Sequence, residues 1–305
     1  MVKKNKIDLI TLKDHDGGMI TEVISSAVQI KSGKKKAGKL LAGKNIALLF
    51  NKHSTRTRLS FEAGISQMGG NAVYLDAGSL QLSRGENYSD TAKIFSAYLD
   101  GVIIRTYEQK TLEIFSENAD IPIINGLTDS YHPCQALADL LTVSELGLLN
   151  KDLKFTYIGD SNNVTNSLMI GFSKLGIPMT VCSPGEYGPD RDILDYCNSL
   201  PGAAIKAEKD PLRGVKDADI IYTDVWISMG DKGSSSKIEK LKPYQVNESL
   251  LEGAKNTVKV MHCLPAHRGE EISADIMDGD SSIVFAQAEN RLHAQKALMA
   301  YIYKK

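Results

Sequence analysis

The sequence predicts an α/β protein of two similar-sized domains, each a parallel sheet flanked by helices, joined by two long interdomain helices. Three observations carry that prediction. Apolar runs of strand length alternate with segments of helical period along nearly the whole chain, the pattern of parallel strands connected by crossover helices. The length, 305 residues, suits two domains of roughly 150 residues each. Two long helical segments stand where the halves must be joined, one at mid-chain and one at the end.

In the first half, strands are expected at 45–50, 72–76, 101–105 and 121–125. In the second half they are expected at 154–159, 179–183, 203–207, 220–224 and 258–262. Most are short runs of Val, Ile, Leu, Phe and Tyr bounded by polar or glycine-containing segments. Between the halves, 133–149 reads as one helix with Pro133 at its first position, where a missing N–H costs nothing. A second long helix, 287–303, closes the chain. The domains are accordingly expected at 1–135, with the closing helix 287–305 packing back on it, and at 136–286. The stretch 231–236, rich in Gly and Ser, reads as a mobile loop, and 228–237 as a lid.

Composition excludes some classes of function. The 36 basic side chains nearly balance the 37 acidic ones, which argues against bulk nucleic-acid binding. No stretch approaches the roughly 18 apolar residues of a membrane span, and residues 1–10 contain no signal-peptide core. A soluble, cytoplasmic protein is expected. Cys134, Cys182, Cys197 and Cys263 are widely spread, with no C-x-x-C pair and no His at zinc-ligand spacing. Free thiols in a reducing compartment are expected, with no metal and no organic cofactor.

Open parallel sheets bind ligands beyond the carboxyl ends of their strands, so the residues there carry the functional reading. Strand 45–50 is followed by Ser54-Thr55-Arg56-Thr57-Arg58 and an amphipathic stretch, 59–68. That places two guanidiniums and three hydroxyls at a helix N-terminus, where unpaired N–H groups and the positive end of the macrodipole favour an anion. Arg56 or Arg58 can clamp phosphate oxygens in bidentate fashion. A Ser N-cap followed by solvent-facing arginines is the competing reading. Strand 101–105 ends in Arg105-Thr106, and 121–125 leads to His132-Pro133-Cys134-Gln135. Together these supply cation, imidazole and amide to one cleft, which suits a ligand carrying phosphate and a small polar carbonyl. In the second half, Gly159-Asp160-Ser161-Asn162-Asn163 turns into a helix without the G-x-G-x-x-G spacing of a dinucleotide site. Asp224 follows strand 220–224 and can meet an amine, or can cap a helix. Cys263, between His262 and Leu264-Pro265, sits at a strand end as a candidate functional thiol.

In this order and at these separations, Ser54 to Arg58, His132-Pro133-Cys134-Gln135, Asp224 to Gly230 and His262-Cys263-Leu264-Pro265 resemble the aspartate/ornithine carbamoyltransferase family. The first two elements resemble those shared by both branches, and the last two resemble the ornithine signature. The similarity runs to Ala288-Glu289-Asn290-Arg291 in the last helix. The resemblance implies a reaction, carbamoyl phosphate plus L-ornithine giving L-citrulline plus phosphate. It implies that Ser54, Thr55, Arg56, Thr57 and Arg105 hold the phosphate, and that Arg105, His132 and Thr57 polarise the carbamoyl carbonyl. Gln135 and the backbone carbonyl of Cys263 or Leu264 would take the carbamoyl amide, with Arg291 completing that site. Asn163, Asp224, Ser228 and Met229 would grip ornithine. Gln81 resembles a residue that reaches into a neighbouring subunit, which implies a homotrimer with shared active sites.

The chemistry agrees with those roles. A primary amine with a pKa of about 10.4 arrives protonated and cannot attack. Cys263, its thiol influenced by nearby cations, and Asp224 are the groups expected to orient it and accept its proton. Carbamoyl phosphate would bind first and ornithine second, closing the domains and excluding water. A transferase for another amine, such as putrescine or acetylornithine, would alter the second half. An NAD-dependent oxidoreductase would need the missing glycine fingerprint, and a non-catalytic regulatory relative would be expected to lack one of Arg56, Arg105, His132 or Cys263.

Overall fold

The structure, a computed structural model, describes residues 6–227 and 235–304. The chain divides into two compact units. Unit 1 comprises the described residues up to Leu141 together with those from Asn290 on, and unit 2 comprises those between Thr142 and Glu289.

Unit 1 holds strands β1 (Asn45–Phe50), β2 (Asn71–Asp76), β3 (Gly101–Arg105) and β4 (Ile123–Leu127). Its helices are α1 (Gly17–Lys31), α2 (Thr55–Gln67), α3 (Tyr88–Tyr98), α4 (Gln109–Asn118) and the start of α5 (Pro133–Glu145). The sheet order is β2-β1-β3-β4 with every pair parallel. Central β3 is buried throughout, whereas the edge strand β2 alternates between half-buried and exposed positions; a strand covered on both faces needs side chains that are apolar on both. Ala47, Leu49, Val102 and Ile104 on one sheet face pack with Leu112 and Phe115 of α4.

Unit 2 holds β5 (Phe155–Ile158), β6 (Met179–Cys182), β7 (Ile205–Glu208), β8 (Ile220–Thr223) and β9 (Lys259–His262). These form a parallel sheet of order β7-β6-β5-β8-β9. Helices α6 (Asn163–Lys174), α7 (Arg191–Asn198), α8 (Pro211–Gly214), α9 (Ser235–Leu241), α10 (Glu248–Leu251) and α11 (Ala274–Met277) follow in chain order. The final helix, α12 (Val284–Ile302), begins in unit 2 and ends in unit 1, as α5 does in reverse. Ile158, Val215, Ile221, Val246, Val260 and Ile272 belong to one core cluster.

All nine expected strands are present, and the departures are local. Strand β4 starts at Ile123, two residues later than expected, because Pro122 has no N–H for the ladder and instead offers its carbonyl to Val102. Strand β7 starts at Ile205, after a turn in which Gly202 takes φ +76°. Helix α5 stops at Glu145 and not at 149, since Gly147 takes φ +71° and the Leu148 N–H returns to the Val143 carbonyl, a left-handed C-terminal cap. Among the described residues no helix is long and apolar enough to cross a membrane.

Candidate active site

In unit 1, three adjacent strands deliver the chemistry. Phe50 at the end of β1 pairs with Arg105 at the end of β3, and Arg105 in turn pairs with Leu127 of β4. The α2 turn, Arg105 and the His132 segment therefore emerge side by side at one sheet edge. Ser54 caps α2, its Oγ accepting from the Thr57 N–H at 3.2 Å, so the capping reading holds. Thr55 is exposed, Arg56 half-buried and Thr57 buried. Arg58 is drawn away from the anion site, donating to Glu62 at 2.9 Å and stacking 3.7 Å from the Tyr74 ring centroid. That leaves Arg56 as the guanidinium of the turn able to face a ligand. Lys52, buried just before the turn, pairs with Asp129 and lies 4.1 Å from the Tyr107 ring centroid.

Arg291, near the middle of α12, closes the set. It donates to Gln135 Oε1 at 2.5 Å and to Thr57 Oγ1 at 3.2 Å. Arg105, His132, Gln135 and Arg291 are all buried. Arg105 Nε has no hydrogen-bond partner, and its guanidinium has no carboxylate partner among the described residues. Burial, then the charges of Arg291 and Arg56, lower its pKa from the ordinary guanidinium value to about 10. A buried cation is normally paired; this one is surrounded by its own kind. The same burial, with Arg291, Arg105 and Arg56, holds His132 well below the usual imidazole value. His132 is thus neutral at pH 7 and able to donate a hydrogen bond without adding charge. Gln81 lies exposed on a separate turn of 3-10 helix, Gln81–Arg84.

In unit 2 the logic repeats on the adjacent strands β5, β8 and β9. Gly159 at the end of β5 has φ +122°, and a Cβ there would meet Trp226 Nε1 at 3.3 Å; only glycine makes this turn without strain. Asn162 caps α6, accepting from the N–H groups of Val164 and Thr165, while its Nδ2 donates to Asp224 Oδ2 at 2.7 Å. Asn163, half-buried, is the first residue of α6. Asp224 is buried and caps no helix; its Oδ1 accepts from the Val225 N–H at 2.8 Å. Ligand atoms of Asp224, His262 and Cys263 lie within 4.8 Å of one another. His262 has both ring nitrogens engaged: Nδ1 accepts from the Leu264 N–H at 2.9 Å, so the ring proton sits on Nε2 and is donated to Glu271 at 3.1 Å. The Cys263 thiol beside them is half-buried. Leu264 is held at φ +61° by that imidazole contact. The expected Ser228 and Met229, and most of the expected lid 228–237, lie outside the described residues.

Sequence reasoning passed over Asn162, Asp139 and Glu271. Asp139 was detectable as the one charged side chain in 133–144, one helical turn from Gln135. Asn162 and Glu271 act through partners distant in the chain or across a turn, for which no periodicity exists.

The family model described as "Aspartate/ornithine carbamoyltransferase, carbamoyl-P binding domain" matches residues 7–145, and "Aspartate/ornithine carbamoyltransferase, Asp/Orn binding domain" matches residues 151–302. An ornithine carbamoyltransferase of Bacillus thuringiensis subsp. konkukian is 47% identical over 305 residues, covering 99% of this chain and 96% of that protein. The solved ornithine carbamoyltransferase from Pyrococcus furiosus is 43% identical with a TM-score of 0.93, covering 99% of each chain. That from Gloeobacter violaceus is 39% identical with a TM-score of 0.89, covering 99% of this chain and 100% of its own.

Proposed function

The chain belongs to the aspartate/ornithine carbamoyltransferase family, and we propose that it works in the cytoplasm as a homotrimer with shared active sites, residues 1–135 and the closing helix binding carbamoyl phosphate and 136–286 binding ornithine. It transfers the carbamoyl group of carbamoyl phosphate to the δ-amine of L-ornithine, giving L-citrulline and phosphate. The observation that carries the reading of unit 1 is the buried Arg105 guanidinium, which has no carboxylate partner among the described residues and lies in the field of Arg56 and Arg291. A phosphate dianion supplies what that cluster lacks.

Ser54, Thr55, Arg56, Thr57 and Arg105 hold the phosphate, and the two N–H groups of the α2 first turn that Ser54 does not engage point to the same anion. Gln135 takes the carbamoyl N–H with its amide oxygen, helped by the backbone carbonyl of Cys263 or Leu264, and Arg291 completes the site. Asn163, Asp224, Ser228 and Met229 hold ornithine. The ammonium must first lose a proton, and Asp224 with Cys263 accepts it. The amine nitrogen then attacks the carbonyl carbon, forming the C–N bond. The C–O bond to phosphate breaks with its electron pair leaving on phosphate, and the departing phosphate takes the second proton of the attacking nitrogen. Arg105, Thr57 and neutral His132 donate to the oxyanion, each worth roughly 3 kcal/mol when preorganised. The exposed setting of Gln81 agrees with a reach into a neighbouring subunit.

Citrulline formation from carbamoyl phosphate and ornithine tests the reading beside Arg56→Ala. Turnover that Arg56→Ala lowers by about 10²-fold or more supports it; turnover indifferent to that substitution moves the phosphate away from the α2 turn.

A further inference from the structure

Gln135 and Asp139 stand one turn apart on α5, where side chains four residues apart meet. Gln135 Nε2 donates to Asp139 Oδ1 at 2.8 Å, and Gln135 Oε1 accepts from Arg291 at 2.5 Å. The three side chains are 1%, 0% and 3% exposed, so a mismatched donor or acceptor here has no water to turn to. An ionised carboxylate only accepts and a guanidinium only donates. One orientation of the amide satisfies both, with nitrogen toward Asp139 and oxygen toward the cationic cluster. Arg291 alone is an unsteady guarantor of that orientation. It also reaches Thr57 and lies in the field that acts on Arg105 and His132, so an anion bound there competes for its donors. Asp139 lies on the far side of the amide from that cluster.

We propose that Asp139 is a positioning residue that fixes the Gln135 amide with its oxygen toward the ligand, making unit 1 selective for an acyl phosphate whose acyl group carries N–H. This rests on the reading of unit 1 as the carbamoyl phosphate site. A ligand NH₂ can donate to Gln135 Oε1, whereas a methyl group in its place leaves a buried oxygen facing carbon. Asp139 touches no substrate itself. Its effect passes through the orientation of one amide.

The test measures the KM for carbamoyl phosphate and the competitive Ki of acetyl phosphate in the wild type, Asp139→Leu and Asp139→Asn. Asp139→Leu is expected to raise the KM about tenfold, the size of one lost buried hydrogen bond, and to leave the acetyl phosphate Ki unchanged. Asp139→Asn, which can still offer an oxygen to Gln135 but can also donate, is expected to raise the KM about threefold at constant Ki. Parallel weakening of both ligands in Asp139→Leu, or no change in either, overturns the proposal. Should the Leu variant not fold, the Asn variant carries the test, and an unmoved ratio of Ki to KM overturns it. A wild type that makes no citrulline contradicts the underlying reading, whereas a turning-over enzyme with an unmoved ratio contradicts the role of Asp139 alone.

Discussion

Replacing Arg105 with Met removes a buried cation that has no carboxylate partner among the described residues. The fall of its pKa from the ordinary guanidinium value to about 10, at about 1.4 kcal/mol per pH unit, corresponds to about 3 kcal/mol against the charged form. The folded value lies below the unfolded one, and both lie far above pH 7, so the guanidinium is charged in both states and the full penalty is present at neutral pH. Met has similar length and no charge, and Arg105 Nε has no hydrogen bond to lose. Arg105→Met is therefore expected to stabilise the ligand-free protein by about 2–3 kcal/mol while lowering kcat/KM by about 10²–10³-fold. Urea unfolding in buffer free of phosphate and sulfate measures the first effect, and citrulline formation the second. Added phosphate sharpens the comparison: it should stabilise the wild type by about 2.7 kcal/mol at a hundredfold excess over Kd, and the variant by much less. A variant less stable than the wild type without ligand, or one that phosphate stabilises as strongly, would refute the view that this cluster is strained until an anion enters.

Three further outcomes follow from single side chains. Because the folded state holds His132 below the value near 6.5 that it has when unfolded, stability is complete above pH 6.5 and falls as pH drops below it, by up to about 1.4 kcal/mol per pH unit; His132→Gln should remove that slope in urea titrations between pH 7.5 and 5.5, and parallel curves would count against it. Of the four thiols, Cys134, Cys182 and Cys197 are buried, and burial pushes Cys134 and Cys182 up to about 12, so a disulfide reagent at pH 8 should modify Cys263 alone in the native protein. A second fast-reacting thiol would contradict this. Asn162→Ala loses both a helix cap and the donor to Asp224, so a stability loss of about 1 kcal/mol should accompany a raised KM for ornithine with little change for carbamoyl phosphate; equal effects on both substrates would show that Asn162 serves the fold alone.

The sheets were legible because most strands are short apolar runs, and in most crossovers a helical segment follows. What remained hidden were strand and helix ends, where one residue's backbone decides: Pro122 shifted the start of β4, and Gly147 cut α5 short of its apolar pattern. The groups at the strand ends were readable one at a time, since an Arg or His at the carboxyl end of a parallel strand has few structural reasons to be there. Their neighbours were not. Arg58 has the same local sequence claim as Arg56, and only Glu62 and the Tyr74 ring decide between them. The Asn162 contact to Asp224 spans 62 residues and leaves no pattern in the chain. Cys263 was expected to feel nearby cations; within its own unit its thiol lies within 4.8 Å of ligand atoms of Asp224 and His262, the latter hydrogen-bonded to Glu271 and Leu264.

The central claim is the identity of the two substrates, and the amine is its most exposed part. The direct measurement offers ornithine, putrescine, acetylornithine and aspartate separately with carbamoyl phosphate and compares kcat/KM for carbamoyl transfer. The account predicts rapid transfer to ornithine, with each other amine slower by at least about 10²-fold, because the groups of unit 2 must be matched by both the α-amino and the α-carboxyl group. Equal or faster transfer to putrescine or acetylornithine would contradict it, and with it the roles given to Asn163 and Asp224.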